Sequence, residues 1–276
     1  MWISNWVFNM RKYWMIAVTS WQKALTYRTN TLLEVAGHFT TMVVSVALWQ
    51  FAFRHTGQQE IGGYTVGELT AYLLIAGWIT SSFWFTAQAD RIVREIKEGF
   101  LSNYLTKPLR ISLYQFFYGN AGKFMQFIMS FFVFIIVLLA FQLYTYLPLA
   151  RFNVGAFLVF LLIAWCIQWL IFYTAALLSF WMEEVWGITF TIRVLADVAA
   201  GTFIPLSLFA PFWQNMFDLL PFKYIVSVPV NVLIGRVQSA ELISLLMNAL
   251  LWLAMLLLLA HIMMRWGIKR YSAVGG

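Results

Sequence analysis

Along most of this chain the apolar residues do not alternate with polar ones; they run on in blocks. Six blocks, at about 32–53, 68–89, 113–143, 154–181, 186–209 and 242–264, reach the roughly 20 residues that a helix needs to cross a bilayer. Lipid offers no partner for backbone N–H and C=O groups, so an apolar run of this length has to be helical. The pattern therefore predicts an all-α, polytopic membrane protein with six transmembrane helices. The third block exceeds what a bilayer requires and is expected to tilt or to project beyond it. No soluble domain, repeat or low-complexity stretch interrupts the series, so the chain reads as one transmembrane domain over 1–276. The first continuous apolar run starts near Leu32, too late and too long for the core of a cleaved signal peptide.

Three segments break the pattern. In 5–28, Trp6, Met10, Tyr13, Trp14, Ala17, Trp21 and Ala24 fall on one helical face, with Asn5, Asn9, Lys12, Thr19, Gln22, Lys23 and Thr26 opposite. That spacing, with indoles at the wet–dry boundary, describes an interfacial helix on the membrane surface; a helix packed on the rest of the protein is the alternative. In 90–109, Ile92, Val93, Ile96 and Phe100 share a face, and Arg91 with Glu95 and Arg94 with Glu98 are spaced to pair along the other. Gly99 ends a first short helix there and Pro108 stops a second. Such a segment is either a docking surface or a solvated face. In 201–235, Gly201, Pro205, Pro211, Pro221, Pro229 and Gly235 are interleaved with Trp213, Phe217, Leu220 and Phe222. This is too apolar for a solvated loop and too broken for one helix. Short helices dipping into the membrane fit it, as does a loop lying on the surface.

Composition agrees with the blocks. The 276 residues are 62% hydrophobic and 11% charged, with a mean hydropathy of +0.77, against about half apolar and a quarter charged in soluble domains. The formal charge of +7 sits beside the apolar blocks, where Lys and Arg set membrane orientation; nucleic acid is not the expected partner. Arg11, Lys12, Lys23 and Arg28, then Arg91, Arg94, Lys97, Lys107 and Arg110, then Arg265, Lys269 and Arg270 fall on one side. Arg54, Arg151, Lys223 and Arg236 fall on the other. Twelve against four puts both termini in the cytoplasm. The one cysteine, Cys166, lies inside a block and permits no internal disulfide.

Chemistry-bearing residues are sparse. Gly119-Asn-Ala-Gly-Lys123 lacks the spacing and the hydroxyl of a phosphate-binding loop and runs into Phe124, so no nucleotide site is expected in this chain. His38, His55 and His261 are dispersed, without the ligand spacing of a metal site, and no nucleophile–base set stands out. Arg193 and Asp197 are the informative pair. Four apart in the fifth block, they are costly in lipid unless paired or turned toward protein or water. They line a subunit interface or a translocation route, or they form a structural ion pair.

The two irregular segments resemble signatures of the type-2 ABC exporter permease family, most closely its small, domain-free bacterial branch. Glu95-Ile96-x-x-Gly99-x-Leu101-x-x-x-Leu105-x-x-Pro108 is similar to that family's coupling helix. Gly201-x-Phe203-Ile204-Pro205-Leu206, Pro211-x-Trp213 and Leu220-Pro221-Phe222-x-Tyr224 are similar to its re-entrant hairpin before the last span. The run from Tyr224 to Gly235, with Pro229, departs from many relatives and leaves the subfamily open. The resemblance implies a non-enzymatic permease subunit in a bacterial cytoplasmic membrane, paired with an identical or sister permease. Soluble ABC ATPase subunits would hold ATP and Mg, leaving no cofactor in this chain. Ile92, Glu95, Ile96, Glu98, Gly99, Leu101, Leu105 and Pro108 would then meet the ATPase. The aromatic content of 19% and scarce interior charge point to an amphipathic or lipid-like cargo moved outward. A secondary transporter or channel is the alternative; it calls for ionisable residues in several spans.

Overall fold

The computed structural model describes residues 2–26, 28–83, 85–144 and 153–271, with backbone alone at 2–9, 28, 105 and 144. Among residues singled out above, the side chains of Asn5, Trp6, Asn9, Arg28 and Leu105, and all of Arg151, lie outside the described set. Among the described residues the chain is helical apart from turns, short connections and one two-stranded hairpin. In order it forms α1 (Trp2–Thr26), α2 (Arg28–Thr56), β1 (Glu60–Ile61), β2 (Tyr64–Thr65), α3 (Val66–Ser82), α4 (Thr86–Lys97) and α5 (Ser102–Leu105). There follow α6 (Ile111–Tyr144), α7 (Val154–Leu177), α8 (Trp186–Ala199), α9 (Pro211–Asp218), α10 (Ser227–Leu233) and α11 (Ser239–Arg270).

Five of the six blocks appear as long helices: α2, α3 continued by α4, α6, α7 and α11. With 34 residues, α6 is about 51 Å long. It overshoots the roughly 30 Å hydrocarbon layer, as its block implied. The fifth block differs from expectation. Only its first 14 residues, α8, are helical, about 21 Å of rise and too short to cross alone. Gly201 explains the stop. At φ +77° it adopts the left-handed conformation that closes a Schellman motif: Thr202 N–H donates to Asp197 O at 3.1 Å and Gly201 N–H to Val198 O at 3.1 Å. From there the chain runs irregularly to a 3₁₀ turn at Leu206–Leu208, beside the β-hairpin.

The hairpin was not anticipated. Gly62 and Gly63 both have positive φ, +58° and +77°, as a two-residue type I′ turn requires. It delivers Thr65 as the N-cap of α3. Its hydroxyl accepts from Glu68 N–H at 3.3 Å, and the Glu68 carboxylate accepts from Thr65 N–H at 3.2 Å.

Helix α3 is the axis of the fold: 82% of its apolar window is buried, against 11% for α11. Gly77 sets how closely α2 approaches, because a Cβ there would lie 2.9 Å from Met42 Cβ. On its other side Trp78 packs among Phe127, Phe131, Phe134 and Phe157, with ring centroids 5.0–6.4 Å away. Ser82 and Ser130 hydroxyls pair at 2.7 Å, and the Gln126 amide donates to Ser81 O at 3.1 Å.

Helix α1 is packed along the start of α6. Tyr13, 3% exposed, stacks on Phe117 and accepts from Arg110 N–H at 2.9 Å. Ser20 donates to Tyr118 O at 2.6 Å, and Trp21 meets Phe124. Trp14 and Met15 stay exposed. The amphipathic face is thus divided between a protein seam and the outside. The Gly119–Lys123 string is helix interior: Gly119 admits Gln88, whose amide donates to Gly119 O at 2.5 Å, and Gly122 admits Ser20 and Ala24.

Candidate functional site

Two places concentrate polar chemistry. The first is a knob made by α4, α5 and the turns around them. Its inward face is apolar: Ala89, Ile92, Ile96 and Leu101 are 1–6% exposed. Each fully buried aliphatic side chain contributes about 1.5–3 kcal/mol, so the knob is keyed firmly to the bundle. Glu95 belongs to this anchoring side. Its carboxylate accepts from Arg91 at 2.5 Å and from the Gln115 amide of α6 at 2.6 Å, while Arg91 also donates to Gln115 Oε1 at 2.7 Å. The three-residue ring ties α4 to α6, and the Arg91 guanidinium lies 4.6 Å from the Tyr118 ring centroid.

Gly99, at φ +80°, turns the chain so that Leu101 can bury and Phe100 cannot. Phe100 is 51% exposed, and Arg94, Lys97, Glu98, Asn103, Thr106, Lys107 and Pro108 of the same segment are exposed as well. Of the residues predicted for this segment, Ile92, Ile96, Leu101 and Glu95 face their own fold. Glu98 and Pro108 face outward with Phe100. Periodicity placed Phe100 with Ile92 and Ile96, but the left-handed glycine between them breaks the helical register.

The second place is a cavity of about 220 Å³ between α2, α3 and α8. His38, Thr41 and Ser45 reach it from α2, Thr80 and Ser81 from α3, Arg193 and Asp197 from α8, and Thr202 and Phe203 from the chain beyond. Arg193 and Asp197 interact electrostatically, and His38 lies within reach of Arg193 and Lys123. Both predicted charges therefore line a cavity between helices, where protein groups can offset their cost. His38, read above as isolated, joins them. The available signal was its spacing with Thr41 and Ser45, three and seven residues on, which makes a polar stripe in an apolar span.

The broken segment frames the far end of this cavity. Tyr72 donates to Gly201 O at 2.7 Å, Trp49 Nε1 to Phe203 O at 3.3 Å and Ser227 N–H to Ala200 O at 3.0 Å. Non-helical backbone at membrane depth is thereby satisfied by protein. Pro211 opens α9 and Pro221 the following 3₁₀ turn, both at first-turn positions where no N–H is needed. The short helices on either side of that break meet at 78°. Pro205 and Pro221 are buried, Phe222 is half-buried, and Trp213 lies exposed over Phe217. Pro229 falls in the first turn of α10 and costs no hydrogen bond. Arg236 closes this end: it donates to Gly63 O at 2.8 Å and to Glu68 at 3.1 Å, with its guanidinium 3.8 Å from the Tyr64 ring centroid. Tyr64 donates to Asn231 at 2.9 Å.

This layout, with five long apolar helices, a charged knob at the end of the second and a broken, bent helix pair before the last, has a match. A family model described as ABC-2 family transporter protein covers residues 39–275. The chain belongs to the ABC-2 transporter family. No match to a curated protein was found. The family makes it the membrane permease component of an ABC transporter, a multi-pass membrane protein. The knob and every cavity-lining residue but His38 fall within the matched stretch of this ABC-2 permease, whereas α1 lies before it.

Proposed function

We propose that the chain is the permease subunit of an ATP-driven exporter, moving an amphipathic or lipid-like substrate outward. ATP and Mg would be held by a separate soluble ABC ATPase, and two permease subunits, identical or related, would work together. The observation that carries this reading is the knob. Its outer surface offers an exposed aromatic, Phe100, together with exposed Arg94, Lys97, Glu98 and Lys107, the composition of an interface anchor with a polar rim. Its inner surface is locked to α6 by Arg91, Glu95 and Gln115 and to the bundle by Ile92, Ile96 and Leu101. A push on Phe100 is therefore passed to the spans rather than absorbed. The excess of Lys and Arg at that end favours a cytoplasmic position for the knob and both termini, in a bacterial cytoplasmic membrane.

The test is reconstitution of the chain with a co-expressed ABC ATPase in proteoliposomes. Phe100→Ser with Glu98→Lys should abolish coupled ATPase stimulation while leaving the permease monodisperse and its unfolding midpoint unchanged. Transport driven by an ion gradient with no ATPase present would sink the proposal in favour of a secondary transporter.

A further inference from the structure

The hydroxyl groups around the intramembrane cavity are not equivalent to water-like lining. Thr41 donates to Gly37 O at 3.3 Å, Ser45 to Thr41 O at 3.0 Å, Thr80 to Ala76 O at 2.6 Å and Ser81 to Trp78 O at 2.8 Å. A hydroxyl has one proton and two lone pairs. With each proton committed to its own helix, what these four oxygens retain is acceptor capacity. Asp197 adds a carboxylate. On the donor side stand the Arg193 guanidinium and Thr202, which is 6% exposed and whose Oγ1 is buried without a hydrogen-bond partner. Buried polar atoms are nearly always partnered, so the Thr202 hydroxyl is a donor and acceptor that no other protein group uses.

Arg193 and Asp197 offset each other in formal charge. A phosphate or carboxylate head would meet Arg193 but also face Asp197 and four acceptor oxygens. A lone ammonium would meet the acceptors but sit beside Arg193. A hydrocarbon would strip Asp197 of polar contact. A neutral polyol both donates and accepts at each hydroxyl, and so fits both halves of the lining. Met42, Leu73 and Phe203 supply apolar wall on the same cavity, which at about 220 Å³ is smaller than drug-sized pockets and of head-group scale. We propose that the cavity between α2, α3 and α8 is a head-group subsite for an uncharged, polyhydroxylated amphiphile. This rests on the exporter reading above and names the substrate class for it.

The test uses the full chain in polymer-bounded nanodiscs prepared without glycoside detergent, and labelled octyl glucoside as probe. Binding should be saturable, with octylamine and octyl phosphate competing roughly tenfold more weakly or worse, the scale on which a hydrogen-bonding site rejects a mismatched head. Thr80→Val and Ser45→Ala each remove one acceptor and should weaken glucoside binding about three- to tenfold, in line with one modest hydrogen bond. Thr202→Val should act in opposite directions, raising the melting temperature of the ligand-free protein while weakening the glucoside. Should one variant fail to fold, the others and the competition series still decide. Equal, non-saturable partitioning of all three amphiphiles, tighter binding of the amine or the phosphate, or indifference of well-folded Thr80→Val and Ser45→Ala would each overturn the proposal. No ATPase enters the assay, so failed binding leaves ATP coupling standing, and failed ATP coupling leaves the subsite standing.

Discussion

Replacing Tyr72 by Phe isolates a single bond at the point where the fifth crossing stops being a helix. The Tyr72 hydroxyl donates to Gly201 O at 2.7 Å, and Tyr72 has 0% exposure. Tyr72→Phe removes the donor and leaves the ring, so the edge-on packing against Tyr64 is retained. The orphaned carbonyl has no water to turn to. An unmet buried acceptor costs about 1–3 kcal/mol, whereas side-chain hydrogen bonds measured inside membrane proteins average about 0.6 and reach about 1.7 kcal/mol. Full burial, and the crowding of Gly201 by Leu206 and Ile204, place this bond toward the upper part of the overlap, at about 1.5 kcal/mol. The assay is reversible unfolding in mixed micelles, paired with amide exchange at Thr202 and Phe203. The loss should appear as faster local exchange there before it appears globally. Trp49→Phe is the internal control. Its 3.3 Å bond to Phe203 O is longer and at an exposed edge, so a loss of about 0.5 kcal/mol or less is expected. The reasoning fails if Tyr72→Phe is within about 0.3 kcal/mol of wild type, or if both variants cost the same.

Three further outcomes follow from the same geometry. Leu101→Ala, at 1% exposure, should cost about 2–4 kcal/mol in unfolding free energy, whereas Phe100→Ser should leave the unfolding midpoint in place. Gly77→Val should push α2 away from α3 through Met42 and destabilise by roughly 1–3 kcal/mol. Met42→Ala in the same chain should recover part of that loss; if it adds to it, the contact is misassigned. Burial raises the Tyr64 phenol above its ordinary range, with Arg236 pulling the other way. The folded form therefore holds this proton more tightly than the unfolded chain. Its contribution is complete below about pH 10, the ordinary phenol value, and declines as pH rises through the folded value. A denaturation series in Tyr64→Phe should show a smaller alkaline decline than the wild-type chain.

Within the knob, sequence and structure divide the work visibly. The pairing of Arg91 with Glu95 follows from i,i+4 spacing, and it is present at 2.5 Å. The third member, Gln115, lies on a different helix, and no local pattern points to it. The burial of Ile92 and Ile96 follows from periodicity. The exposure of Phe100 does not, because periodicity assumes one helix and Gly99 ends it. In the cavity, Arg193 and Asp197 stood out because charge in lipid is costly. His38 did not, since its charged neighbours, Lys123 and Arg193, lie on other helices far along the chain and only helix packing joins them.

The sequence by itself determined that the chain is a polytopic membrane protein, where five of its long apolar helices lie and which end is basic. The solvent imposes those features: each span must be apolar along its own length, so the information is local. It also marked the three departures from that rule, since a helix surface, an amphipathic loop and a proline-broken stretch each carry their own pattern. Only the tertiary structure decided that α1 is pinned to α6, that α8 stops at Gly201, and which residues of the knob remain available to a partner. It alone gathered hydroxyls from two helices and from the chain beyond α8 around one charge pair. Inside lipid every polar group must find its partner within the protein, and those partners are set by how helices far apart in sequence pack side by side.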